Sequence, residues 1–198
     1  MADPLFPGRA EAHEAGHAVV ASVLGIPQSA ITVAATDQAD PIRVGGHVNA
    51  ESELFIGGPL TQIRAPIPPN LVPGPWAHAI FLLSGLASET AMRPDATSIH
   101  PRVLQYLGED DLRLISEIFA LLGLGRDDWE RLVSETVAIV FKEWAAILAV
   151  YEILLAMQRI EPNQVTEIIA DKSLRPDPAP QSRLTVMQTL CDTAKLVA

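Results

Sequence analysis

The sequence is poor in cysteine and lysine, and each shortage excludes a class of site. Cys191 is the single cysteine, so no internal disulfide can form and a cysteine-rich structural metal site is disfavoured. The three lysines are Lys142, Lys172 and Lys195, and none follows a glycine as the lysine of a P-loop does. We therefore expect a protein of the reducing cytoplasm that binds no ATP through a P-loop of its own.

Basic charge and uninterrupted apolar runs are also scarce. The chain has 14 Lys and Arg against 24 Asp and Glu, a net charge of −10, which argues against nucleic acid as a partner because phosphate binding needs clustered basic side chains. Charged residues interrupt the apolar stretch 133–157, so it predicts no membrane span. The first residues lack the basic and apolar regions of a signal peptide.

The most informative feature present is the run His13-Glu14-Ala15-Gly16-His17. On an α-helix, positions i and i+4 share one face, so His13 and His17 can offer two imidazole nitrogens to one metal ion. Glu14 lies beside that face and is predicted to act as a general base toward water. Glycine in a helix interior is about 1 kcal/mol less favourable than alanine. Its presence at position 16 therefore indicates that another segment approaches closely there.

A catalytic zinc takes three protein ligands and leaves a fourth position for water. Val20 and Val23 stand where the Gly and the third His of an HExxHxxGxxH enzyme would be, so that class is excluded. Asp111 would lie in the first turn of a helix, where the dipole favours an ionised carboxylate, but capping acids occupy the same place. The residues alone leave the third ligand open; the candidates are His47, His78, His100, Glu89, Glu109, Asp110 and Asp111.

Three segments in order resemble the peptidase domain of the FtsH-type zinc metalloproteases. The string AEAHEAGHAVVAS at 10–22 resembles that family's active-site helix, which carries AxHEAGHA. The segment LSGLASE at 83–89 is similar to its LGGRAAEE helix, and GEDDL at 108–112 resembles a segment ending in Asn-Asp-Leu. With a further likeness at 161–165, the resemblance covers about residues 10–171.

The resemblance implies a Zn²⁺ ion held by His13, His17 and Asp111, with Glu14 as the catalytic base. Glu89 ends an apolar run, and we expect it either to accept a hydrogen bond from a metal-bound histidine or to be a surface acid at a helix end. The chain departs from the family at three places, where Leu86, Thr90 and Asp110 replace Arg, Glu and Asn.

The implied activity is that of a zinc metalloendopeptidase acting on unfolded or flexible polypeptides. Members of the family normally carry a membrane anchor and an ATPase ahead of the peptidase, and the twelve residues before His13 lead us to expect neither. The alternative is a zinc-binding module that is weakly active or non-proteolytic and binds proteins, working with a partner ATPase in trans.

The hydrophobic pattern predicts a mainly helical α+β fold with a small β hairpin after the first helix. Strands are expected within 30–35 and 42–49, and by the resemblance Arg43 to Val48 would bind the substrate chain by strand addition. The Pro-rich stretch 57–75 is predicted to be either a flap or a surface loop. Residues 1–172 would form the peptidase domain and 173–198 a linker and a C-terminal helix, a docking or homo-oligomer element.

Overall fold

A computed structural model describes residues 8–33, 46–47, 74–94, 109–174 and 178–197. Nearly all of the Pro-rich stretch 57–75, most of the expected Arg43 to Val48 strand, and His100 lie outside the described residues. The helices of the described part are α1 (Arg9–Leu24), α2 (Pro75–Met92), α3 (Glu109–Leu122), α4 (Arg126–Lys142), α5 (Trp144–Met157), α6 (Pro162–Ala170) and α7 (Arg183–Val197). The strands are β1 (Ile31–Val33), β2 (Gly46–His47) and β3 (Arg159–Ile160).

The fold is mainly helical with a small antiparallel β hairpin, as predicted. Strand β1 pairs with β2 through Thr32 and His47. It also pairs with β3 through Ile31 and Ile160, which gives a sheet in the order β2-β1-β3. The third strand was not anticipated.

Helix α2 is the central element of the molecule. Every residue from His78 to Met92 is buried, and the helix contacts α1, α3, α4 and α7. Pro75 occupies the first turn, where its missing N–H is not needed by the helix. Leu83 and Leu86 are fully buried, and burial of such a side chain is worth about 1.5–3 kcal/mol relative to exposure.

Helix α1 packs directly on α2 at Gly16, where a larger side chain has no room. A Cβ atom added at Gly16 would lie 2.5 Å from the carbonyl oxygen of Ser84 and closer still to the Ser88 hydroxyl. The sequence predicted a close approach at Gly16, and this contact confirms it. Because α1 and α2 touch here, side chains one turn away on either helix also meet.

The sequence pattern predicts one long helix from Asp127 to about Ile160, and this prediction is wrong in two places. It divides at Glu143 into α4 and α5, although nothing in the local sequence marks the break. It then ends at Met157, because Gln158 adopts a left-handed conformation with φ of 55°. That turn directs Arg159 and Ile160 into the sheet beside β1, where Ile160 is buried.

The C-terminal helix α7 packs against the body formed by α2 and α4. The indole of Trp129 on α4 donates a hydrogen bond to the Leu190 carbonyl at 3.2 Å. Gln181, ahead of α7, donates its backbone N–H to Ala91 and its side-chain amide to the Arg93 carbonyl. Across the described ranges, no helix is long and apolar enough to cross a membrane.

Candidate metal centre

Helix α1 places His13 and His17 one turn apart with their rings in contact. The two Nε2 atoms are 3.0 Å apart, and the ring centroids are 4.6 Å apart at an interplanar angle of 82°. An edge-to-face arrangement of this kind directs both Nε2 atoms toward one region of space. The i, i+4 spacing therefore produces the convergent pair that the sequence predicted.

Asp111, in the first turn of α3, brings a carboxylate oxygen to the same place. Its Oδ2 lies 3.0 Å from His13 Nε2 and 3.4 Å from His17 Nε2. Ligand atoms about 2.0–2.1 Å from a tetrahedral zinc are separated by about 3.3 Å, so the three atoms already have the spacing of such a set. Among the described residues, His13, His17 and Asp111 form a group that could hold a metal ion.

The other ring nitrogen of each histidine faces an oxygen atom on α2. His17 Nδ1 lies 2.8 Å from the Phe81 carbonyl oxygen on α2. A carbonyl only accepts, so Nδ1 of His17 carries the proton and the Nε2 lone pair is free for a metal. His13 Nδ1 lies 3.5 Å from Glu89 Oε2, the arrangement expected for a carboxylate behind a metal-bound histidine.

Glu89 is fully buried and is not one of the three converging ligands. Arg9 and Arg93 each donate a hydrogen bond to it, at 3.3 and 3.0 Å. Burial raises the pKa of the Glu89 carboxyl, but the His13 contact and the two guanidinium groups outweigh this and hold it below its ordinary value. Of the two roles considered for Glu89, the structure places it behind His13 and not at the surface.

The acidic neighbours hold a proton on His13. Burial alone lowers the pKa of this imidazole, but Asp111 and Glu89 outweigh burial and raise it to about 10. The Asp111 pKa is lowered, since both histidines outweigh the effect of its own burial. A metal ion that takes His13 Nε2 must therefore displace a proton, so we expect metal affinity to fall as the pH is lowered.

Glu14 is buried on α1 at 4% exposure, next to His13 in the chain. Its charge acts on the His13 ring and contributes to the raised pKa of that imidazole. A buried carboxylate whose charge reaches a ligand histidine is a candidate for exchanging a proton with water at the ligand set.

Gly85 on α2 leaves the space in which the two imidazoles meet. A Cβ atom at this position would lie 2.6 Å from His13 Nε2 and 2.6 Å from His17 Nε2. Any side chain here would occupy the region that the ligand atoms share. The donor types, their spacing and this cleared space together fit a tetrahedral metal ion.

Two further candidates for the third ligand, Asp110 and His78, do not join this centre. Asp110 is 91% exposed and pairs with Arg113 on the outer face of α3. His78 is buried near the start of α2, with Nδ1 3.4 Å from the Gly74 carbonyl oxygen. The side chains of His47 and Glu109 and all of His100 lie outside what the structure describes.

No protein-family model matches the chain, and neither does any curated protein.

Sequence reasoning missed four contributors: Arg9, Phe81, Gly85 and Arg93. Two of them carried a signal in their spacing. Arg9 precedes His13 by one helical turn, and Arg93 follows Glu89 by one turn, the separation at which helical side chains interact. The Gly85 gap carried the same signal as Gly16, a glycine inside a helix, whereas the Phe81 carbonyl has no counterpart in the local sequence pattern.

Replacing Asp111 is expected to abolish tight metal binding, whereas replacing Asp110 leaves it intact. Asp111→Ala removes the oxygen that lies 3.0 Å from His13 Nε2, and Asp110→Ala removes only an exposed ion pair worth less than about 1 kcal/mol. Zinc affinity of the two variants, measured by chelator competition, distinguishes them. If Asp110→Ala loses the metal and Asp111→Ala retains it, the third ligand is Asp110 and not Asp111.

Proposed function

We propose that this chain is a zinc-dependent peptidase whose centre consists of His13, His17 and Asp111. The observation that carries the proposal is the convergence of two Nε2 atoms and one Oδ2 atom within 3.0–3.4 Å of one another. Two imidazoles and one carboxylate are a usual ligand set for catalytic zinc, while magnesium prefers oxygen ligands alone. The resemblance of the HEAGH helix to the FtsH-type peptidases supports the same assignment.

The chain's own residues would supply the proton transfers of peptide hydrolysis. Zn²⁺ in such a ligand set provides a Lewis acid for water and for the scissile carbonyl. Glu14 accepts a proton from the attacking water and returns it to the leaving amine. The Phe81 carbonyl accepts a hydrogen bond from Nδ1 of His17, so that Nε2 is the ring nitrogen that would face the metal.

The substrate class that suits this centre is an extended polypeptide. Strand β2 lies at the edge of the sheet in the part of the chain that the structure describes, paired with β1 on one side. An extended chain can add to such an edge through backbone hydrogen bonds. The absence of a P-loop lysine from the sequence leads us to propose that the chain acts on unfolded or flexible substrates.

The purified protein is expected to bind about one zinc ion per chain, because one set of three converging ligands is present among the described residues. Elemental analysis of the wild type and of His17→Ala after dialysis measures this. Ser84→Ala is a matched control, because its hydroxyl lies 3.5 Å from His17 Nδ1 but supplies no metal ligand. Equal zinc content in the wild type and His17→Ala would refute the site.

Cleavage is expected to need zinc but not ATP, and to favour an unfolded substrate. Release of fluorescent fragments from unfolded casein and from a folded control protein, with and without ATP and a chelator, tests all three points. If the zinc-loaded wild type cleaves none of a broad set of unfolded substrates, the chain is instead a zinc-binding interaction module. If cleavage requires both ATP and an added ATPase, the chain works with that ATPase in trans.

A further inference from the structure

The buried carboxylate of Glu89 links α2 to α1, the helix that carries both histidine ligands. Glu89 on α2 contacts Arg9 and His13 on α1 through its Oε2 atom, at 3.3 and 3.5 Å. Its Oε1 atom receives the Arg93 guanidinium at 3.0 Å. The side chains of Arg9, Glu89 and Arg93 are 7%, 0% and 5% exposed, so this cluster is closed to solvent and to substrate.

A carboxylate does not need two buried arginines beside it in order to contact a histidine. Desolvating each guanidinium is unfavourable, and apolar residues of similar volume often stabilise a protein as much as a buried ion pair does. The cations around Glu89 come from Arg9 and Arg93. We therefore look for the effect of the two arginines in orientation: their contacts restrict the direction in which the Glu89 carboxylate points.

We propose that Arg9 and Arg93 are positioning residues of the metal centre, which hold Glu89 in the one orientation that aims His13 Nε2 at the shared ligand point. The inference rests on the proposed metal site. Arg93 fixes one carboxylate oxygen, and Arg9 fixes the other beside His13 Nδ1. With both oxygens held, the carboxylate cannot rotate, and the imidazole that contacts it keeps its ring angle.

The arrangement also sets the register between the helices. Arg9 and His13 lie one turn apart on α1 and meet the same oxygen atom of Glu89. Sliding α1 by one residue along α2 would break both contacts. Loss of an outer partner of a metal-bound histidine typically lowers metal affinity by about 10–100-fold.

The test compares Arg9→Met and Arg93→Met with the wild type. Methionine keeps much of the buried volume and removes the donors, so the variants are expected to bind zinc about 10–100-fold more weakly. Their Co²⁺-substituted forms should show a changed visible absorption spectrum. Leu190→Ala, a core truncation on α7, provides a destabilised control that should keep wild-type affinity and spectrum at equal folded fraction.

A second measurement reads His13 directly and needs no metal. In ¹⁵N-histidine-labelled protein without added zinc, the His13 Nδ1–H signal is expected to exchange slowly with water in the wild type and rapidly in Arg9→Met. The inference is overturned if both methionine variants keep the wild-type zinc affinity, Co²⁺ spectrum and His13 exchange rate. So would an equal loss of affinity in Leu190→Ala. If the wild type binds no metal yet the exchange rates differ as expected, the positioning role stands and the zinc function fails.

Discussion

Glu14→Gln retains zinc and the fold but loses peptide hydrolysis by about 10²–10⁴-fold, the usual contribution of a general base. Glutamine has nearly the same shape as glutamate, so the buried position on α1 is still filled. Its amide cannot accept the proton of the attacking water. Fragment release from unfolded casein, compared at equal zinc content, gives the rate ratio.

The matched control for this variant is Glu11→Gln, which makes the same chemical change on the same helix three residues earlier. It is expected to cleave at close to the wild-type rate. Cleavage by Glu14→Gln at the wild-type rate would exclude Glu14 as the base. Loss of zinc from Glu14→Gln would mean that the carboxylate acts on the ligand set and not on water.

Gly85→Ala is expected to weaken zinc binding by more than about 100-fold, beyond the effect of losing an outer hydrogen bond, while the protein stays folded. The new methyl group would lie 2.6 Å from both His13 Nε2 and His17 Nε2. These are the ends of side chains, so the rings must turn away while the backbone stays in place. Within a helix, Ala is favoured over Gly by roughly 1 kcal/mol, which works against any loss of stability.

Gly74→Ala is the control for this second variant. Gly74 precedes α2, and a Cβ atom there would meet no atom of the described residues within 4 Å, so zinc affinity should be unchanged. Chelator competition gives the affinities and thermal unfolding gives the stabilities. Wild-type affinity in Gly85→Ala would show that the histidine rings do not converge over this residue. Unfolding of Gly85→Ala would show that the glycine serves the packing of α2.

The parts of the site that the sequence predicted depend on short-range geometry. His13 and His17 converge because a helix brings residues four apart onto one face. Gly16 could be read as a contact point because glycine is disfavoured inside a helix without a packing reason. For Asp111, the residues alone left several acids open, and the choice came from the resemblance of the segment 108–112 to a known motif.

The parts that the sequence did not predict depend on contacts between distant segments. Phe81 meets His17 across 64 positions, and Arg9 meets Glu89 across 80. Such pairs follow from how α1 crosses α2, which no local pattern encodes. The strand after α5 was missed for a related reason: Gln158 is not a typical left-handed residue, and its pairing partner β1 lies far earlier in the chain.

By itself the sequence determined the HEAGH helix, the mainly helical class with its hairpin, and the chemical types of the candidate ligands, because each follows from periodicity and residue identity. Only the tertiary structure decided that Asp110 faces solvent while Asp111 faces the histidines, and that Glu89 lies behind His13 between two arginines. The physical reason is that adjacent helical residues point about 100° apart. Which of them meets the site depends on how α3 and α2 pack against α1.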